Sequence, residues 1–319
     1  MPCGKCDEAI SGVTSLNRPV VNTAASVRQR LLNLARERKE DFGLVLTKYG
    51  LERVLYRVSR SKHRDLFVLK GALLFELWTE QRYRPTRDAD FLARGQNSPE
   101  RFAAIFKAIC DAEVEDDGLH FDAATVTAER ITEDADYEGI RVKFVGYLEG
   151  ARVPIQIDRA FGDAITPEPI EAELRTLLDL PAAKLWTYPR ESVIAEKFEA
   201  IVSLGMANSR MKDFHDIRSL SREFAFTGDV LSEAVAKTFK TRGTELPSGQ
   251  VLVFTSEFFN NADKKKQWVA FCNKNRSYID EVSLETVCRE IEELLMPLLE
   301  ALKKNRGFGR NWSPKSGWG

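Results

Sequence analysis

No apolar run reaches the eighteen or so residues that a membrane-spanning helix needs. Nor is there a charged-then-apolar leader ending in a small-residue cleavage site. The chain is therefore expected to be soluble and cytoplasmic, with no membrane partner. Cysteine is sparse and odd in number: Cys3, Cys6, Cys110, Cys272 and Cys288 do not make the framework of a secreted disulfide fold. Cys3 and Cys6 form a CxxC, but a zinc site needs a second ligand pair nearby, and the nearest histidine is His63. Two free thiols in a loose N-terminus is the simpler reading. His63, His120 and His215 are too dispersed for a metal set, and neither a GxSxG nor a Walker GxxxxGK[ST] occurs. Charge of one sign is also lacking. Charged residues make up 30% of the chain yet cancel to a net charge of -1, so a global basic field for nucleic acid is excluded and any such affinity must be local.

What is present is enough apolar material, 43% of 319 residues, to bury one large core or two moderate ones. Residues 1–22 show no periodicity and are expected to be flexible. From Thr23 helical spacing sets in (Val27, Leu31, Leu34, then Phe42, Leu46, Leu51, Val54 and Val58), predicting two helices that join near Arg38–Asp41. Leu66–Leu69 reads as a short buried strand, Leu73–Gln81 as a helix, Arg87–Ala93 as a strand and Pro99–Ala112 as a helix. The acidic run Glu113–Asp117 reads as a solvated loop. Strands follow at Ala124–Ile131, Gly139–Tyr147 and Arg152–Ile157, the last two joined by a hairpin turn at Glu149-Gly150. Past Pro189 the pattern is helical: Arg190–Leu204, Lys212–Phe224, Asp229–Thr238, Lys265–Asn273 and Ser283–Lys303. The Gly-rich, basic tail 305–319 is expected to be flexible. The expected division is thus an α/β domain over 23–188 and a helical C-terminal domain over 189–304.

The chemistry concentrates in carboxylates. Asp88 and Asp90 stand two apart on a predicted strand, so both project from one face, a few ångströms apart. Carboxylates that close repel one another unless a cation lies between them, and Mg2+ or Mn2+, which takes oxygen ligands and leaves room for phosphate, suits the gap. A lone DxD is often just a solvated face; here Phe91, Leu92 and Ala93 carry the strand on into a core. Asp158 ends the alternating strand Val153-Pro154-Ile155-Gln156-Ile157-Asp158. It either caps the next turn or supplies a third carboxylate, and three carboxylates can hold two divalent ions about 4 Å apart. Lys70-Gly71-Ala72 lies at a strand-to-helix turn, where backbone N–H groups can meet phosphate. Lys197 stands among Val193, Ile194, Phe198 and Ile201. Its stem crosses an apolar surface, and its ammonium either snorkels to a neighbouring glutamate or meets a triphosphate. Asp213 and Asp216 open the next helix, where acids are also favoured by the helix dipole alone.

The order of these elements resembles the AbiEii/AbiGii toxin family of nucleotidyltransferases, which includes the mycobacterial MenT toxins. The stretches that carry the likeness are LKGALLFELW (69–78), RPTRDADF (84–91), IQIDRAFGD (155–163) and ESVIAEKFEAIVSLGMANSRMKDFHDI (191–217). The resemblance implies an α+β fold: a polymerase-β-like core with a mixed sheet flanked by helices, and a helical C-terminal region. It further implies a divalent metal, a nucleoside triphosphate (NTP) donor, an RNA acceptor that in MenT members is the tRNA 3′ end, and a cognate antitoxin. Carried over, Asp88 and Asp90 bind metal with Asp158 in a variable third position. Lys197 and Asp213 match the later essential Lys and Asp, with Asp216 the second choice, and Lys70, Gly71, Ala72, Arg87 and Lys197 would hold the nucleotide. Where family members often have Gly-Ser or Gly-Gly, this chain has Gly71-Ala72, so no hydroxyl is offered there. A basic stretch containing Lys48, Arg53, Arg57, Arg60, Lys62 and Arg64, with Arg82, Arg84 and Arg87 nearby, is a candidate RNA footprint. The competing readings are a metal-dependent nuclease or phosphohydrolase using the same acids, and a non-catalytic module that binds nucleotide or antitoxin.

Overall fold

In the computed structural model the described residues are 22–79, 83–93, 95, 98–133, 137–160 and 162–319, with side chains left aside at 132–138. Cys3, Cys6, Arg82 and nearly all of the N-terminal stretch expected to be flexible lie outside them. Helices α1 (Thr23–Arg38) and α2 (Phe42–Arg60) each begin on a side-chain cap. Asn22 accepts from the Ala25 N–H and Asp41 from the Leu44 N–H, satisfying donors that a helix start leaves open. Then come β1 (Phe67–Lys70), α3 (Leu73–Trp78), β2 (Ala89–Ala93), α4 (Pro99–Cys110), β3 (Leu119–Glu133), β4 (Tyr137–Leu148), β5 (Ala151–Ala160), β6 (Ile170–Glu173) and β7 (Lys184–Thr187).

These seven strands form one mixed sheet in the order β3-β4-β5-β2-β1-β7-β6. The β2–β5 and β1–β7 pairs are parallel and the others antiparallel. Strand alternation gives the sheet two unlike faces. On one, Val153, Ile155 and Ile157 are fully buried. There α2 comes so close that a Cβ at Gly50 would stand 2.7 Å from Val153 Cγ1. Phe67 packs on Phe91, Phe102 and Phe106 from β2 and α4, with ring centroids 5.1 to 6.2 Å apart. The other face carries the polar residues of the same strands. Strands β6 and β7 are additions to the sequence reading: four residues each, one of them largely exposed, fall below the length at which alternation is readable.

Beyond Tyr188-Pro189 the chain is mostly helical: α5 (Arg190–Leu204), α6 (Met211–Glu223), β8 (Phe226–Thr227), α7 (Gly228–Thr241), α8 (Ser256–Phe259), α9 (Ala262–Lys274) and α10 (Leu284–Lys303). α10 buries Leu284, Val287, Ile291, Leu294, Leu295 and Leu298, a stripe at helical spacing that faces the core. Among the described residues no helix is long and apolar enough to cross a membrane.

Three expectations are corrected. The tail forms β9 (Asn311–Ser313) and β10 (Gly317–Trp318), which extend β8 into a second, three-stranded sheet. Its aromatics anchor it: Trp312 is buried and donates its indole N–H to the Ser221 carbonyl at 2.7 Å, and Trp318 donates to the Leu294 carbonyl at 3.0 Å. The basic stretch is not a surface stripe. Arg53 is 0% exposed and paired with Glu52, while Arg57 is buried on Asp117 at 2.6 Å. Asp117 is correspondingly buried, not solvated, because it neutralises that guanidinium.

Candidate active site

Register builds the floor of the site. Lys70 on β1 pairs with Asp90 on β2, Asp90 with Asp158 on β5, and Asp158 with Arg141 on β4. Laterally paired residues project from the same face, so four adjacent strands present the row Lys70, Asp90, Asp158, Arg141 at one level. All four line a cleft of about 410 Å³, together with Asp88, Gly71 and Ala72. Asp88 stands in the bend just before β2, not inside the strand, and its carboxylate accepts from the Thr86 hydroxyl. Gly71 has φ +78° and lies beneath Asp90, where a Cβ would overlap Asp90 Oδ2. Glycine is thus required twice, for backbone sign and for the space Asp90 occupies.

The opposite wall comes from α5 and α6. Lys197 Nζ lies 2.7 Å from Asp213 and 2.8 Å from Asp216, both 0% exposed. Asp213 also accepts from Arg210 at 2.7 Å, and Asp216 accepts from Arg84 at 2.7 Å and from the Tyr83 hydroxyl at 2.6 Å. Burial works against the Lys197 charge, yet the two carboxylates outweigh it and keep its pKa above the ordinary lysine value. Burial likewise opposes the carboxylate charges; Arg84 and Lys197 overcome it and hold Asp216 well below the usual range, and Lys197 and Arg210 lower Asp213. Lys212, exposed at the start of α6, lines the cleft as well. Arg84, Lys197, Arg210 and Lys212 against Asp213 and Asp216 leave this wall with surplus positive charge, which suits a polyanion.

A second network closes the side of the cleft. Lys70 Nζ lies 2.8 Å from Asp163 and 2.9 Å from Glu196. Arg242, which caps the C-terminus of α7, reaches Asp163 at 2.9 Å and Glu199 at 2.7 Å. Burial pushes the Glu196 carboxyl above its usual pKa although Lys70 pulls it back.

The cleft therefore gathers Asp88, Asp90, Asp158, Lys70, Gly71, Ala72 and Lys197, with Asp213 directly behind Lys197. Arg87 is exposed and absent from the lining. Asp216, second choice in the sequence, holds Lys197 as closely as Asp213 does. Among the described residues no three His, Cys, Asp or Glu side chains are grouped to hold a metal. Asp158, expected as a third metal ligand, lies in the cleft and accepts from Arg141 on both oxygens. Asp88 and Asp90 alone still fit Mg2+, which commonly takes one or two carboxylates and completes its shell with water and substrate phosphate. Sequence reasoning missed Arg141, Asp163 and Arg242. The first was recoverable by counting back from the Glu149-Gly150 hairpin; the other two meet only through tertiary packing.

The α6 ion wall yields a stability prediction. Because Asp213 and Asp216 have depressed pKa values, their contribution is fully present above the ordinary carboxylate range near pH 4 and is lost as pH falls below it. Asp216→Asn would leave Arg84 and Lys197 poorly compensated. It is expected to cost about 3–5 kcal/mol in urea unfolding at neutral pH and to flatten the acid dependence.

The site is thus a cleft in which acids on a mixed sheet face a cationic wall of helices. The chain belongs to the family described as nucleotidyl transferase AbiEii toxin, type IV TA (toxin–antitoxin) system, whose model matches residues 53–295. Two solved structures from Helicobacter pylori are similar to it. JHP933 has a TM-score of 0.46 and 13% identity, over 83% of this chain and 95% of its own. A candidate nucleotidyltransferase has a TM-score of 0.46 and 13% identity, over 84% and 100%. No curated protein sequence matches the chain.

Proposed function

We propose that this toxin-family nucleotidyltransferase moves a nucleoside monophosphate from an NTP to the 3′ end of an RNA, with tRNA the leading acceptor, in a reaction that depends on Mg2+ or Mn2+. A cognate antitoxin would restrain it. The observation that carries the reading is the opposition, within one cleft, of Asp88 and Asp90 to the surplus-positive wall of Arg84, Lys197, Arg210 and Lys212. A divalent cation between Asp88 and Asp90 would supply charge neutralisation for the phosphate oxygens. Lys197 and Arg84 would hold the triphosphate, with the Gly71-Ala72 backbone beneath it. Asp213 and Asp216 act behind them, fixing Lys197 in place. In the transfer, the acceptor hydroxyl oxygen bonds to the α-phosphorus and the α–β bridging bond breaks. Pyrophosphate leaves with that electron pair, and the hydroxyl proton passes to water. Arg87 would meet the nucleotide only from outside the lining, and Lys70 only while shared with Asp163 and Glu196.

Incubating the protein with total RNA, Mg2+ and each of the four labelled triphosphates tests this. Labelled RNA lengthened by one or more nucleotides is expected; shortened RNA without label would reject transfer in favour of a nuclease. Lys212 lines the cleft, is exposed, and sits at the positive end of α6, where a cation is electrostatically disfavoured. It is placed to meet acceptor phosphate. Lys212→Ala is expected to raise the KM for RNA severalfold and to reduce the salt slope of RNA binding by about 1, with the KM for triphosphate unchanged.

A further inference from the structure

The floor of the cleft carries the two flanking cations of its row on unlike terms. Lys70 is shared between Asp163 and Glu196, off the row. Arg141 turns along the row onto Asp158, donating from Nε to Oδ1 at 2.8 Å and from a terminal nitrogen to Oδ2 at 2.6 Å. Gln156 adds a third donor to Oδ2 at 3.1 Å. A carboxylate offers about four lone-pair sites, so three are taken, and Asp158 is only 5% exposed. Both oxygens are held in the fork geometry that makes arginine a strong, oriented partner. Asp90, next in the row, stands over the space left by Gly71.

We propose that Arg141 is a positioning residue that withholds Asp158 from the metal site, so that this chain works with a two-carboxylate site on Asp88 and Asp90 and a fixed guanidinium where a second divalent cation would otherwise sit. The inference rests on the metal-dependent reading above and specifies the site it uses. Three carboxylates at this level would demand more than one cation for neutrality; Arg141 supplies one positive charge permanently, and the demand on metal falls accordingly. The hairpin at Glu149-Gly150 and the unbroken ladder from Leu148–Ala151 to Arg141–Asp158 set the register that puts the guanidinium beside Asp158.

The test is Mn2+ titrated into the full, nucleotide-free chain, with free ion followed by electron paramagnetic resonance. Wild type is expected to show a single site that Asp90→Ala removes and Asp158→Asn leaves intact. Arg141→Met, which releases Asp158, is expected to tighten binding about tenfold or to add a second ion. Adding Asp158→Asn to Arg141→Met should return the wild-type isotherm. A merely structural arginine would weaken binding or leave it unchanged. Unchanged affinity in Arg141→Met, a second site already present in wild type, or loss of the wild-type site in Asp158→Asn overturns the proposal. Should Arg141→Met fold poorly, the Asp158→Asn arm decides alone. Mn2+ uptake that Asp90→Ala does not alter would instead overturn the assignment of Asp88 and Asp90 to metal, a separable failure.

Discussion

Asp90→Ala, and independently Asp88→Ala, is expected to lower nucleotide transfer by at least about 10³-fold, because each removes one of the two cleft carboxylates assigned to the divalent cation, and metal-assisted charge stabilisation amounts to several kcal/mol. The fold should survive. Asp90 is only partly buried and Asp88 lies in a bend outside the strand, and neither fills an apolar space. Urea unfolding midpoints close to wild type would confirm that rate alone has fallen. A variant that keeps normal rates would show that its carboxylate is not a metal ligand.

Gly71→Ala is expected to be nearly as damaging without touching a charge. Its φ of +78° makes any Cβ unfavourable by roughly 1–2 kcal/mol. That Cβ would also overlap the Asp90 carboxylate and force it aside. A displacement of about 1 Å at a reacting centre can cost about 10²-fold in rate. The effect should be non-additive. In an Asp90→Ala background the carboxylate is already gone, so Gly71→Ala should change the residual rate little. Additive losses in the double variant would mean that Gly71 matters for some reason other than seating Asp90, such as direct contact with the triphosphate.

Most of the fold was legible because its elements are long and strongly patterned. The helices α1, α2 and α5 appear where apolar spacing puts them, and the hairpin β4–β5 follows its Glu-Gly turn. What escaped was short or long-range. β6 and β7 have four residues each, and the tail strands depend on Trp312 finding Ser221, a partner 91 positions away. In the site, Asp90 and Lys197 could be singled out because strand period and helix face are local properties, and Asp88 followed from its spacing to Asp90 although it lies in the bend before β2. The charge partners could not: Lys197 pairs with Asp213 and Asp216, and not with the glutamates beside it, and Lys70 pairs with Asp163, 93 positions on. Arg53 and Arg57 illustrate the same point in reverse. A run of arginines on a helix says nothing of whether they meet water or a buried Glu52 and Asp117.

The central claim is that a charged cleft with Asp88 and Asp90 on one side and Lys197 on the other transfers the α-phosphoryl group with its nucleoside. Paired reactions with α-labelled and γ-labelled triphosphate and an RNA acceptor test it most directly. The account predicts label in the RNA from the α position only, with the γ label released in pyrophosphate. Label from the γ position in the product, or label in neither, would contradict it.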